Sequence, residues 1–259
     1  MATLRLVEET PRSKPGDDGF WLAYLVPGGT ERRVRLTLAR DVAFEDAPPI
    51  RAFPSYRGQR NYPGLWWSAT VGRHVGYESW LERDTAMLLD FDPQVVGFAS
   101  QPFWLSWPED GRVRSHAPDW FARLDDGTGV VVDCRPAKRM RPQDAAVFQV
   151  TERACAEVGW RYRLVHDHDP VWVSNVRWLG GYRHPRHRDP TIAAALLERL
   201  QRPRGLLEAA GEVGDPIGVL PVLYHLLWTG MVVVDLAVPL HDHTLVRLAS
   251  GPTRAGAFR

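Results

Sequence analysis

The sequence predicts an α/β fold: a mixed central sheet flanked by helices, followed by a small C-terminal helical domain. Three observations predict it. Short apolar stretches with strand periodicity, punctuated by Gly, Pro and Asp turns, recur from residue 20 to residue 135. Two stretches of helical periodicity, 77–90 and 147–158, bracket the central pair of these strands. Beyond residue 185 the character changes to three short helical segments and then two strands. Strands and helices mixed along one chain pack as layers around a sheet.

Composition narrows the function classes. A chain of 259 residues holds one large domain or two modest ones. Its 44% hydrophobic and 24% charged residues are ordinary for a chain that builds a core. The net charge of +1 does not announce nucleic acid; only local patches could bind it. Cys134 and Cys155 are the only cysteines, which excludes a disulfide framework and a Cys-rich zinc site. There is no basic-then-apolar leader and no apolar run near the ~18 residues a membrane span needs, so a soluble cytoplasmic chain with no membrane partner is expected. Only Lys14 and Lys138 are lysines, so arginine supplies almost all positive charge.

The elements follow in order. Residues 1–50 are β-rich: 4–6, 20–26 and 34–38 alternate, and Pro27-Gly28-Gly29 turns the chain, which predicts a structural hairpin. Residues 50–75 are irregular and mix Arg57, Arg60 and Arg73 with Phe53, Tyr56, Tyr62, Trp66 and Trp67. Such a mixture either tracks a nucleic-acid backbone or packs a loop with its own rings. Residues 77–90 predict a helix, with Tyr77, Leu81 and Leu88 on one stripe and Pro93 blocking continuation. Glu78 and Glu82, four apart, are expected on one helical face, the usual place for solvated acids. Strands are predicted at 95–98 and at 101–105, the second immediately before the central hairpin.

That hairpin, within residues 116–135, organises the rest. Residues 118–124 alternate, Asp125-Asp126-Gly127-Thr128-Gly129 is turn chemistry, and Val130-Val131-Val132 is a buried run. Strand side chains repeat every second residue, so Asp133 and Arg135 share a face, Cys134 takes the other, and Asp119 comes to lie beside Asp133. Two carboxylates beside a cation suit Mg²⁺, which takes a couple of carboxylates, several waters and a substrate phosphate.

The helix 147–158 carries Phe148, Thr151, Ala154, Cys155 and Val158 on one stripe, stops at Gly159 and leads to a strand at 160–165. Cys155 is expected in the core, and Cys134 is expected to pack. His166-Asp167-His168-Asp169 is better explained as a polar loop than as a metal cluster, for no further ligand pair has zinc spacing. His184 and His187 sit in an Arg-rich loop, either beside phosphate or as a solvated linker. After a linker at 185–190, helices are predicted at 191–200, 206–210 and 216–228, then strands at 231–236 and 244–248. Three helices and a hairpin predict a winged helix-turn-helix. The 216–227 helix has no Arg or Lys, which argues against its reading a major groove and favours protein contact over DNA.

The pair Pro118-Asp119 with Asp133-Cys134-Arg135 resembles the core of the PD-(D/E)xK nucleases, with arginine where that superfamily usually has lysine. In order along the chain come Tyr77-Glu78-Ser79 with Glu82, Asp92-Pro93 with Val95, Gln101-Pro102, Pro118-Asp119 and Asp133-x-Arg135-Pro136. This series is similar to the TnsA endonuclease subunit of heteromeric transposases, over roughly residues 51–165. The resemblance implies a restriction-endonuclease-like core at 51–180, between the β-rich segment 1–50 and a DNA- or partner-binding winged-helix-like domain at 185–259. It implies a metal-dependent endonuclease acting on double-stranded DNA at transposon ends beside a DDE-type transposase. Glu78, Asp119 and Asp133 would hold Mg²⁺ or Mn²⁺, Arg135 would stand at the catalytic lysine position, and Gln101 receives no chemistry. Lys138, Arg139, Arg141, Arg57 and Arg60 would contact the nucleic acid. Arginine does not give up its proton at working pH, so it serves as an electrostatic clamp and not as a base. The alternatives are a nuclease-fold subunit with weakened cleavage that binds DNA or assembles a complex, and a stand-alone defence or restriction nuclease.

Overall fold

In the structure, a computed structural model that describes residues 19–53 and 62–249, the chain opens with a hairpin of β1 (Trp21–Leu25) and β2 (Glu31–Arg35). A second hairpin, β3 (Gly64–Trp67) and β4 (His74–Tyr77), leads into helix α1 (Trp80–Phe91). Strands β5 (Val95–Ser100), β6 (Phe103–Glu109), β7 (Arg112–His116), β8 (Trp120–Leu124) and β9 (Gly129–Cys134) follow, then α2 (Pro142–Glu157) and β10 (Arg161–Val165). The C-terminal part holds α3 (Pro170–Gly180), α4 (Pro190–Arg199), β11 (Arg204–Gly205), α5 (Leu206–Gly211), α6 (Pro216–Trp228), β12 (Val232–Val233) and β13 (Leu245–Leu248). The α/β expectation is met. Strand 4–6 of the sequence reading, with Tyr56, Arg57 and Arg60, lies outside the described residues.

The elements divide into two units, one of residues up to 54 with Gly97–Val165, the other of 55–96 with residues from 166 onward. The first contains two four-stranded sheets, ordered β2-β1-β6-β7 and β10-β9-β8-β5, the last strand entering this unit at Gly97. The N-terminal hairpin is thus part of a larger sheet, because β1 pairs antiparallel with β6. Strands β8 and β9 are antiparallel, and β10 runs parallel to β9, which requires the crossover that α2 supplies. Both sheets and α2 share one core, in which Phe44, Phe103, Phe121 and Trp160 meet edge-on or stacked. Burying each such ring is worth about 1.5–3 kcal/mol. Gly129 starts β9 because a Cβ there would fall 2.7 Å from the Trp160 ring and 2.9 Å from Phe121.

The predicted strand at 101–105 is corrected. Gln101 adopts φ +45°, so the chain breaks between β5 and β6, and the two strands belong to different sheets. Strand β7 was not anticipated. Asp110 (φ +51°) and Gly111 (φ +71°) form a two-residue turn that pairs Glu109 with Arg112, the geometry an Asp-Gly hairpin favours.

In the second unit α1 begins at Trp80, not at residue 77. Tyr77 is held in β4 opposite Gly64, and Ser79 caps the helix by accepting the Glu82 N–H at 3.2 Å. Glu82 in turn accepts the Glu78 N–H at 2.7 Å and the Ser79 hydroxyl at 2.8 Å, which ties the residue before the cap to the first turn. Glu82 is therefore buried, not part of a solvated face, and Glu78 precedes the helix. Asp169, Asp189 and Asp215 cap α3, α4 and α6, each followed by proline in the first turn. The tempting His-Asp repeat is thus a loop and a helix cap. Strands β11, β13 and β12 form a three-stranded sheet in that order. The strand predicted at 231–236 shrinks to Val232–Val233, because Asp235 turns the chain by accepting the Ala237 N–H. No helix among the described residues is long and apolar enough to cross a membrane.

Candidate active site

The site lies in the first unit, where the chain passes from one sheet to the other. Strand β7 ends at His116, two residues follow, and Asp119 leads into β8. The β8–β9 register pairs Trp120 with Val132, which sets Asp119 beside Asp133. The Asp119 N–H lies 3.4 Å from Asp133 Oδ1, and Asp119 Oδ2 accepts the Cys134 N–H at 2.7 Å. The two predicted carboxylates are therefore brought together as the strand periodicity implied.

Asp133 is 1% exposed, and its oxygens are occupied by groups the sequence reading had not assigned. His116 Nε2 lies 2.9 and 3.0 Å from Oδ1 and Oδ2, and the Tyr162 hydroxyl donates to Oδ2 at 2.9 Å. A carboxylate only accepts, so the imidazole proton resides on Nε2. Burial, reinforced by the Asp133 charge, pushes the Tyr162 phenol well above its usual range and keeps it a donor. The ring of Phe148 on α2 packs edge-on to His116 at 5.8 Å. His116 and Tyr162 were legible in part: the Asp-Gly turn places His116 at a strand end, and alternation along β10 fixes the face of Tyr162.

Arg135 follows on β9 but turns to Asp144 in the first turn of α2, with Nη2 2.6 Å and Nε 3.2 Å from Oδ2. Arg141 binds the same carboxylate at 3.1 Å. These two guanidinium groups, Arg141 first, hold the Asp144 carboxyl far below the usual carboxylate range. Lys138 and Arg139 lie exposed on the 3-10 turn between β9 and α2. Burial pushes the Cys155 thiol up, so it is a core group without nucleophilic character, as expected. Cys134 is half-buried.

Gln101 acts through its backbone. Its N–H donates to the Asp119 carbonyl at 2.9 Å and its carbonyl accepts from Ile50 at 2.8 Å, which ties the end of β5 to the start of β8. Its amide is buried, and neither amide atom has a hydrogen-bond partner among the described residues.

Two adjacent carboxylates are the donors a hard divalent cation takes, and such a cation keeps most of its other positions for water. The residues fit that group with one condition. His116 Nε2 sits nearly equidistant from both Asp133 oxygens, the seat a chelated cation would take, so the two are alternatives there. Glu78, the third predicted ligand, belongs to the second unit. No group of three or more His, Cys, Asp or Glu side chains poised to hold a metal occurs among the described residues. No protein-family model matches the chain, and no curated protein matches it.

Proposed function

We propose that this chain is a metal-dependent DNA endonuclease subunit, similar to TnsA, that hydrolyses phosphodiester bonds at transposon ends beside a DDE-type transposase. One observation carries the reading: Asp119 and Asp133 meet at the end of two adjacent antiparallel strands, the second of which is followed by Arg135. The surrounding order supports a restriction-endonuclease-like core: helix α1, strand β5, hairpin β8–β9, helix α2, then β10 parallel to β9. The order of α4, β11, α5, α6, β12 and β13 supports a winged-helix-like C-terminal domain. Residues Val222, Leu223 and His225 through Trp228 of α6 are buried, which argues against groove reading by that face of the helix.

Asp119 and Asp133 would hold Mg²⁺ or Mn²⁺. When bound, such an ion lowers the pKa of a coordinated water and neutralises charge on the phosphate. Arg135 would contribute a planar fork to phosphate oxygens, and Lys138 and Arg139 would contact the backbone further along. His116 and Tyr162 fix the orientation of the Asp133 carboxylate.

The second reading, a subunit with weakened cleavage, is favoured by the same contacts. His116 occupies the chelating seat on Asp133, and Arg135 is engaged by Asp144. The two readings part on supercoiled plasmid with Mg²⁺ or Mn²⁺, tested alone and with the product of the neighbouring transposase gene. Nicking that disappears in Asp119→Ala and in Asp133→Asn establishes the endonuclease. Absence of nicking in every pairing leaves the assembly subunit, and nicking without a partner points to a stand-alone nuclease.

A further inference from the structure

The second unit carries a cluster of cations that its own acids do not neutralise. Between α3 and α4 the chain makes a 3-10 turn at Pro185–His187, capped by His184, whose Nδ1 accepts the Arg186 N–H at 3.1 Å. Arg186 and Arg188 are exposed, and neither enters an ion pair among the described residues. Other arginines behave differently: Arg83, Arg123, Arg135, Arg177 and Arg204 each reach a carboxylate within 3.2 Å. The neighbouring acid, Asp189, spends its carboxylate on the N–H groups of Thr191 and Ile192.

The field of this turn is positive. Arg186 Nε donates to His187 Nε2 at 3.2 Å, so the imidazole is the acceptor and the guanidinium keeps its charge. Burial first, then Arg186, His225 and His184, hold His187 below its ordinary pKa. The turn is also braced by rings. Tyr182 packs on His187 at 5.3 Å and on Tyr224 at 4.7 Å, and His184 lies against Trp67 at 4.9 Å. Trp178, which touches Tyr224 edge-on, is 55% exposed.

We infer that this turn is a docking site for the phosphodiester backbone of duplex DNA, with Arg186 and Arg188 as the phosphate contacts and His184 as a further donor. Guanidinium groups suit phosphate because their donors form a planar fork. A donor set braced by a proline-started turn and aromatic packing loses little freedom on binding. Two guanidinium groups with no carboxylate paired to them among the described residues suit the regularly spaced charges of a duplex backbone, which are read by Arg and Lys side chains and not by rings. The site rests on the proposal that the chain acts on DNA, but not on its ability to cut it.

The test is fluorescence anisotropy of a labelled duplex with the full chain in EDTA, over a salt series. Phosphate contacts make log K fall with log salt by about 0.9 per contact. Arg186→Ala/Arg188→Ala should lower the slope by about 2 and weaken binding roughly tenfold at low salt. Arg186→Lys/Arg188→Lys should restore most of the slope. Arg32→Ala/Arg112→Ala removes the same formal charge from exposed strand positions of the first unit and should leave the slope nearly unchanged. Equal slopes for the wild type and the first double variant overturn the inference, as does an equal loss in the charge-matched control or no duplex binding by the wild type. Duplex binding lost in the double variant while plasmid nicking is absent from the wild type supports the docking site and counts against the endonuclease.

Discussion

Among the buried carboxylates of the described residues, Asp90 in the second unit and Asp133 in the first are satisfied in different ways. Asp90 in α1 accepts from Trp66 Nε1, Ser68 Oγ, Ala69 N and Thr70 N between 2.7 and 3.1 Å. It clamps the β3–β4 hairpin to α1, and three of its four donors have no acceptor role. Asp133 accepts from His116, Tyr162 and the Asp119 N–H. Two of those three partners can rotate or change tautomer and become acceptors. The difference separates a carboxylate that fastens a fold from one whose surroundings can admit another ligand. Burial alone would not distinguish them: Asp90 is 5% exposed and Asp133 is 1% exposed.

The isosteric amide breaks this comparison most sharply. Asp133→Asn should lower metal-dependent nicking at least about 100-fold, because an amide is a poor ligand for a hard cation. Its melting temperature should stay close to the wild type, since Tyr162 can still donate to the amide oxygen and His116 can accept from its nitrogen. Asp90→Asn should do the reverse. Its NH₂ would face fixed N–H donors, and the unpaired groups should cost about 2–4 kcal/mol in denaturant unfolding. A strongly destabilised Asp133→Asn with a mild Asp90→Asn would reverse the assignment.

A steric change at the other end of β9 ranks next. Gly129→Ala places a methyl within 3 Å of Trp160 and Phe121, both packed in the core. Overpacking of this kind should cost about 1–3 kcal/mol, read as a lower denaturant midpoint at unchanged m-value. An unaffected midpoint would mean that the β8–β9 hairpin has room it is not expected to have.

The two regions were unequally legible. The hairpin that carries Asp133 follows from alternation and turn chemistry, which are local, so β8, β9 and the pairing of Asp119 with Asp133 could be read directly. His116 and Tyr162 reach Asp133 from 17 and 29 residues away, and only tertiary packing brings them there. Asp144 lies nearer, yet its claim on Arg135 depends on where α2 starts. In the other unit α3 went unread although Asp169-Pro170 repeats the Asp-Pro start that marks α4 and α6. Spacing alone puts Glu78 and Glu82 on one helix face, whereas Ser79 caps α1 by accepting the Glu82 N–H and Glu82 reaches back to the Glu78 N–H. The local S-x-x-E signal was present there and outranks periodicity at a helix end.

Acid titration sharpens the comparison through one titrating group in each unit. In the first unit Asp144 is depressed by Arg141 and Arg135. A carboxylate depressed on folding contributes stability that is complete above its unfolded pKa and is lost as pH falls toward the folded value. The gap in melting temperature between wild type and Asp144→Asn should therefore be constant above about pH 5 and close only below about pH 4. A gap that closes near neutrality would show that another group carries the effect.

The second unit should respond at milder acidity and by less. His168 Nε2 lies 2.9 Å from Thr85 Oγ1, and Thr85 donates its own proton to the Leu81 carbonyl at 2.9 Å, so the imidazole is the donor between them. Burial lowers the His168 pKa, and the attraction of Asp84 and Asp167 only partly opposes it. The unfolded chain therefore binds a proton at higher pH than the folded one. The contribution of neutral His168 is present above about pH 6.5 and is lost as pH falls through the folded value. His168→Gln keeps a donor for Thr85 without a titrating group. Between about pH 7 and pH 5 the wild type should lose stability relative to this variant, whereas the Asp144→Asn gap stays flat over that range. Parallel curves for wild type and His168→Gln would mean that the imidazole titrates alike in the folded and unfolded chains, and that its seat beside Thr85 is wet.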